Sequence, residues 1–188
     1  MSGGRPATRR LFFALWPDPA TRRALGNALG AVLATAGGQA VPAGELHLTL
    51  EFLGRIPDGA LETLAALGAA IALPDEALLL DRLEWWRRSA LLVATPSASA
   101  AGLLAAQAQL RQALGDHGFR VDSRPFRPHV TLARVRHARP SMVARFLADT
   151  GGLRVAPFVA PRFVLLSSRP GRGGGPYALE AAVDLADD

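Results

Sequence analysis

The chain has 188 residues, enough for one domain, or two small lobes sharing a cleft, to bury a sizeable core. It contains no cysteine, which excludes disulfides, thiolate metal sites and cysteine nucleophiles, and no run approaching the roughly 20 apolar residues of a membrane span. Its net charge of +5 is carried by arginine without a single lysine, so no lysine can carry an adenylate, and the chain reads as a cytoplasmic protein.

Residues 1–9 read as a disordered N-terminus and residues 10–188 as a single bilobal domain. Arg10 to Trp16 predicts a buried strand stopped by Pro17-Asp18; this apolar run is too short for a signal-peptide core. Asp18 as N-cap and Pro19 at the first helical position then open a helix. Its stripe of Ala24, Leu25, Ala28, Leu29, Val32 and Leu33 ends at Gly37-Gly38. Leu46 to Gly54 predicts a strand with His47, Thr49 and Glu51 on one face and Leu48, Leu50 and Phe52, read as core, on the other. Gly54 closes it, Pro57-Asp58 opens a second helix that runs to Pro74, and a third strand follows at about Ala77 to Trp85. In Trp85-Trp86 one indole is expected inward and one outward.

The second half repeats this order. Ala90 to Thr95 is an apolar strand, Ser97 or Ser99 caps a helix carrying Leu103, Leu104, Gln107, Leu110 and Leu114, and Gly115 to Gly118 ends it. Phe126 to Arg134 is again a strand, in which His129 and Thr131 share a face opposite Val130 and Leu132. A shorter helix starts at Pro140-Ser141, and Leu153 to Ser168 and Tyr177 to Leu185 supply two or three more strands. The glycine run from Gly171 to Pro176 has neither a following helix nor a Gly-Lys-Ser/Thr end, so it reads as a hairpin connection rather than a phosphate loop.

Two of the four histidines thus lie in His-x-Thr strands, preceded by an apolar strand at spacings of 36 residues from Leu11 and 38 from Leu91. One copy of so short a pattern is weak; two in matching contexts suggest an internal duplication. If the duplicate strands face one cleft, two imidazoles flank one substrate atom. Near neutral pH one can accept a proton while the other donates one. Arg120, Arg124, Arg127, Arg134, Arg136 and Arg139 crowd the second copy, an arrangement that suits either a solvated face or an electrostatic funnel for phosphates. His47, Glu51 and His129 could instead serve a metallohydrolase, but no His-Glu-x-x-His helix accompanies them. Gly-x-Ser-x-Gly, the mark of a serine hydrolase, is missing. A non-catalytic RNA-end-binding module would explain the arginines but not the symmetric histidine–threonine pairs.

The strands Arg10-Leu11-Phe12-Phe13-Ala14-Leu15, Leu46-His47-Leu48-Thr49-Leu50-Glu51-Phe52-Leu53-Gly54 and Phe126-Arg127-Pro128-His129-Val130-Thr131-Leu132-Ala133-Arg134 resemble those of the two-histidine (2H) phosphoesterase superfamily. The likeness is closest to its RNA 2′,3′-cyclic phosphodiesterase branch, also called 2′-5′ RNA ligase-like. The resemblance implies an α+β fold of two pseudo-symmetric lobes, each a mainly antiparallel sheet with helices on the outer face and the active site in the cleft between them. It implies a monomer that opens 2′,3′-cyclic phosphates of RNA or nucleotides to 2′-phosphates without metal or cofactor, or joins such ends by ATP-independent ligation. His47 and His129 would be catalytic, His47 protonating the 3′ oxygen and His129 activating water. Thr49 and Thr131 would bind the non-bridging oxygens and Arg134 the phosphate, although strict alternation puts Arg134 on the wrong face unless the strand bulges. Phe13, Phe52 and Tyr177 are candidate base-stacking platforms, of which Tyr177 is preferred.

Overall fold

The computed structural model describes residues 7–36, 38–74, 78–136, 140–149, 158, 160, 162–168 and 177–184. In chain order the elements are β1 (Thr8–Trp16), α1 (Pro19–Ala36), β2 (Gln39–Ala40), β3 (Leu48–Pro57), α2 (Leu61–Ala69), β4 (Arg82–Trp86), β5 (Leu91–Thr95), α3 (Ala101–Asp116), β6 (Val130–Arg134), α4 (Pro140–Asp149), β7 (Arg162–Ser168) and β8 (Tyr177–Asp184). Every strand pair is antiparallel, in the order β4-β5-β6-β3-β1-β7-β8, with β2 pairing β6. The architecture is the expected α+β arrangement.

The two lobes meet at one residue pair, Leu48 opposite Val130, where β3 joins β6. On one side β3 is followed by β1, β7 and β8, and on the other β6 is followed by β5 and β4. This is a duplication with exchanged parts. The first half of the chain lends α1, β2 and β4 to the lobe of β5 and β6, where α1 packs on α4 and β6. The second half lends α3, β7 and β8 to the lobe of β1 and β3, where α3 packs on α2 and β3. Neither half is a lobe by itself, so the cleft between the lobes is set by the whole topology.

Local chemistry explains most element boundaries. Asp18 caps α1, its Oδ1 accepting from the Thr21 amide at 2.6 Å, as the Asp-Pro pair predicts. The expected cap of α3 is not made. The helix begins at Ala101 with Ala100 at the N-cap and no side-chain cap bond, while Ser97, upstream of the cap position, donates its amide and hydroxyl to Asp81. β1 starts at Thr8 rather than Arg10, since Arg9 is held by Asp58 at 3.1 Å and Glu180 at 2.6 Å. Asp58 lies in a 3-10 turn, so α2 begins only at Leu61. β4 is shorter than expected; ahead of it Leu78 makes an isolated bridge to Phe158.

The main core lies on one face of the sheet, where Leu11, Phe13 and Leu15 of β1 meet Leu48, Leu64, Phe163 and Leu165. Burying each such side chain contributes about 1.5–3 kcal/mol. Phe13 and Phe163 stack at 5.2 Å beneath α2, and a Cβ at Gly68 would come within 2.8 Å of the Phe13 ring, so only glycine lets the helix lie this close. The opposite face carries a smaller cluster of Phe12, Ala14, Val164 and Leu166, with Trp16 and Tyr177 packed against it.

Both motif strands carry the same irregularity. In β3, Thr49 pairs with Ala14 and Glu51 with Phe13, leaving Leu50 unpaired. In β6, Thr131 pairs with Val93 and Ala133 with Leu92, leaving Leu132 unpaired. This β-bulge breaks the two-residue alternation just after each threonine. Burial confirms the match: Leu48 to Phe52 and Val130 to Arg134 both run buried, half-buried, buried, buried, exposed. Gly54 does not end β3; it sits at φ +73° beside a second bulge and the strand continues to Pro57.

Candidate active site

Antiparallel pairing of Leu48 with Val130 fixes the centre of the site. Those two side chains enter the core, so the flanking residues His47, Thr49, His129 and Thr131 project to the other face. Continuing the register by one residue each way sets His47 toward Thr131 and Thr49 toward His129. Each ring is then oriented in the same way. His47 Nδ1 lies 2.7 Å from the Glu45 carbonyl and His129 Nδ1 lies 2.8 Å from the Arg127 carbonyl. A carbonyl can only accept, so Nδ1 carries the proton in both rings and Nε2 is left with its lone pair.

The surroundings differ. His47 packs on Phe12 at 5.1 Å, Trp16 at 6.0 Å and Tyr177 at 5.1 Å between ring centroids. Burial lowers its pKa below the usual 6.5, the carbonyl bond opposes this, and the neighbouring His129 lowers it further. His129 lies 4.4 Å from the Trp86 ring. Glu84 accepts from Trp86 Nε1 at 2.8 Å, Thr95 Oγ1 at 2.9 Å and Arg127 at 3.1 Å, and the Arg127 guanidinium covers the indole at 5.0 Å. Burial also lowers the His129 pKa, opposed by the Arg127 carbonyl; the Arg127 charge adds to the lowering and Glu84 opposes it.

A cavity of about 550 Å³ opens beside Thr49 and His129 and extends between Phe52, Trp86, Phe126 and Arg127 to Glu51 and Gln107. Glu51 is only 3% exposed. It accepts from the Asp122 amide at 2.7 Å and Gln107 Nε2 at 3.0 Å, and Arg111 lies 3.4 Å away. Burial raises its pKa, against those donors and the guanidinium. One side chain thereby ties β3 to α3 and to the segment that leads into His129.

The sequence matches the family model described as LigT like Phosphoesterase over residues 93–177. It is 32% identical over 126 residues to the RNA 2′,3′-cyclic phosphodiesterase of Escherichia coli (strain K12), covering 67% of this chain and 72% of that one. It is 34% identical over 140 residues to the protein of the same name from Thermus thermophilus, covering 70% and 71%. The chain belongs to the LigT-like phosphoesterase family. The crystal structure of E. coli LigT complexed with 3′-AMP superposes with a TM-score of 0.74 at 26% identity, covering 96% of this chain and all of that one. The crystal structure of TT0787 of T. thermophilus gives 0.68 at 28% identity, covering 94% and 97%.

In this LigT-like phosphoesterase the bulges correct several expectations. Phe52 is not core; it is 44% exposed at the cavity, stacked on Phe12 at 5.5 Å and 7°. Glu51, weighed as a metal ligand beside the histidines, is turned instead to Gln107, Arg111 and Asp122. Phe13 is buried on the main-core face and cannot stack a base, whereas Tyr177 is half-buried against His47. Arg134 is exposed, as the bulge at Leu132 allows, and its charge acts against the rise in the Tyr177 pKa that burial and Glu45 cause. Trp86 escaped the sequence reading because its neighbour His129 is reached only through the β4–β5–β6 pairing. His137, Arg139 and the run from Gly171 to Pro176 lie outside the described residues.

Proposed function

We propose that this LigT-like phosphoesterase hydrolyses RNA 2′,3′-cyclic phosphate ends to 2′-phosphomonoesters by two-histidine acid–base catalysis. The observation that carries the reading is the pair of imidazoles at the lobe junction, each with Nδ1 held by the carbonyl two residues earlier and Nε2 left for chemistry. The family and the printed names of its E. coli and T. thermophilus relatives support the same reaction.

The cyclic phosphate would lie between the rings. Thr49 and Thr131 donate to the non-bridging oxygens, each bond to a charged group contributing about 1.5–3 kcal/mol, and Arg134 adds a charge-assisted contact. His129 takes a proton from water, which attacks phosphorus in line with the departing 3′ oxygen, and His47 protonates that oxygen. Both pKa values lie low in the free protein, so the acid gains its proton as the phosphate anion arrives. Tyr177, set edge-on to His47, would border the ribose or base. The test is to incubate the protein in EDTA with an oligonucleotide ending in a 2′,3′-cyclic phosphate and to identify the new end group. A 2′-phosphate is expected; a 3′-phosphate, or turnover that needs a divalent ion, would overturn the reading.

A further inference from the structure

Gln107 is buried, 4% exposed, yet it lines the cavity beside His129. Its amide orientation is forced by chemistry: Nε2 lies 3.3 Å from the Leu50 carbonyl and 3.0 Å from the Glu51 carboxylate. Both partners are acceptors, so Nε2 must be the donor and a flipped amide would set oxygen against oxygen. Oε1 is thereby turned from that network and accepts no hydrogen bond among the described residues. Trp85 Nε1, not this oxygen, is the buried polar atom left without a partner among the described residues, so Oε1 meets solvent at the cavity wall and is open to a donor on a ligand.

The walls suit a flat ring. Phe52, Trp86, Phe126 and Pro125 present apolar surface, and the polar lining holds Gln107 and Glu51 together with Asp122, paired with Arg124, and Arg127, paired with Glu84. Asp122 is occupied by Arg124, and the Glu51 oxygens accept from the Asp122 amide and Gln107, so among the described residues the acceptor left without a protein donor is Gln107 Oε1, which favours an edge bearing an N–H group over one bearing a carbonyl. Thr49 and His129, at the other end, stand where the scissile phosphate lies in the proposed reaction.

In that reaction the nucleobase of the terminal nucleotide lies in this cavity, and we infer that Gln107 Oε1 accepts from its exocyclic amine, selecting amino-edged bases, adenine and cytosine, over oxo-edged ones. The inference rests on the cyclic phosphodiesterase reading for where the phosphate lies, and the selection resides in Gln107, outside both His-x-Thr strands.

The experiment compares cytidine with uridine and adenosine with inosine. For each, kcat/KM is measured on the 2′,3′-cyclic phosphate and Kd on the 2′-monophosphate by titration calorimetry, with the wild-type protein and with Gln107→Leu. The amino member of each pair should be favoured about tenfold in both quantities by the wild type, and the ratio should fall to about twofold or less in the variant. Equal hydrolysis and binding of all four would overturn the inference and leave the phosphodiesterase reading standing. A tenfold preference among the monophosphates with no hydrolysis would uphold it and sink that reading; neither hydrolysis nor preference would sink both. If Gln107→Leu does not fold, the wild-type ratios decide alone, and Gln107→Met repeats the comparison with a flexible side chain of similar length.

Discussion

His47 and His129 precede strands with the same burial pattern, the same bulge and the same carbonyl bond to Nδ1, yet their surroundings diverge. Around His47 lie Phe12, Trp16 and Tyr177, rings that exclude water. Around His129 lie Trp86, the Glu84–Arg127 ion pair and an open cavity. Duplicated backbone thus delivers two equivalent imidazoles, and their neighbours make them different. Burial opposes an imidazolium at both sites; at His129 the Arg127 charge opposes it further and the Glu84 carboxylate favours it, whereas at His47 the neighbouring His129 opposes it and no carboxylate among the described residues stands against that until an anion binds. Proton loading of His47 is thereby linked to substrate, which fits the acid in the proposed reaction.

The comparison is broken most severely by removing either ring. His47→Ala and His129→Ala should each lower kcat/KM on a cyclic nucleotide by about 10²–10⁴-fold while circular dichroism stays that of the wild type. Near-wild-type turnover of either would return that histidine to a packing role.

Glu51→Ala comes next. It leaves the Asp122 amide without its acceptor, Gln107 with only the Leu50 carbonyl and Arg111 without its ion pair, so thermal or urea unfolding should show a loss of about 2–4 kcal/mol. Because the lost ties hold the segment leading to His129, kcat/KM should also fall about tenfold. A variant as stable and active as the wild type would remove Glu51 from the account.

The smallest effect is in the pH profile. Both histidine pKa values are lowered from 6.5, so the base stays neutral to below that pH and the free acid form is lost there as well. The bell of kcat/KM should therefore peak on the acid side of neutrality, its limbs belonging to the coupled pair. An optimum above about pH 7.5 would mean that the site raises these values rather than lowers them.

Much of this was legible in the sequence. The paired apolar strands behind each His-x-Thr motif and the Asp18-Pro19 helix start emerged as read, although β3 and β6 begin at Leu48 and Val130, so each histidine stands just ahead of its strand rather than within it. Leu50 and Leu132 reach the core as alternation predicts, and the face assignments fail from the next residue on. An unpaired Leu50 or Leu132 has no mark in the chain; it exists only against β1 or β5, and it moves Glu51 inward and Phe52 and Arg134 outward. The exchange of α1 with α3 and of β4 with β7 was equally hidden, since each piece reads the same on either lobe. Trp86 and Gln107 reach the site only through that exchange.

The division of labour between the two histidines is tested most directly with a 2′,3′-cyclic substrate whose 3′ oxygen is replaced by sulfur. A thiolate leaves without needing a proton, so His47→Ala should recover most of its lost rate on this substrate, while His129→Ala, which lacks the group that activates water, should stay slow. Recovery by His129→Ala in place of His47→Ala would reverse the roles, and recovery by neither would contradict acid catalysis by this pair.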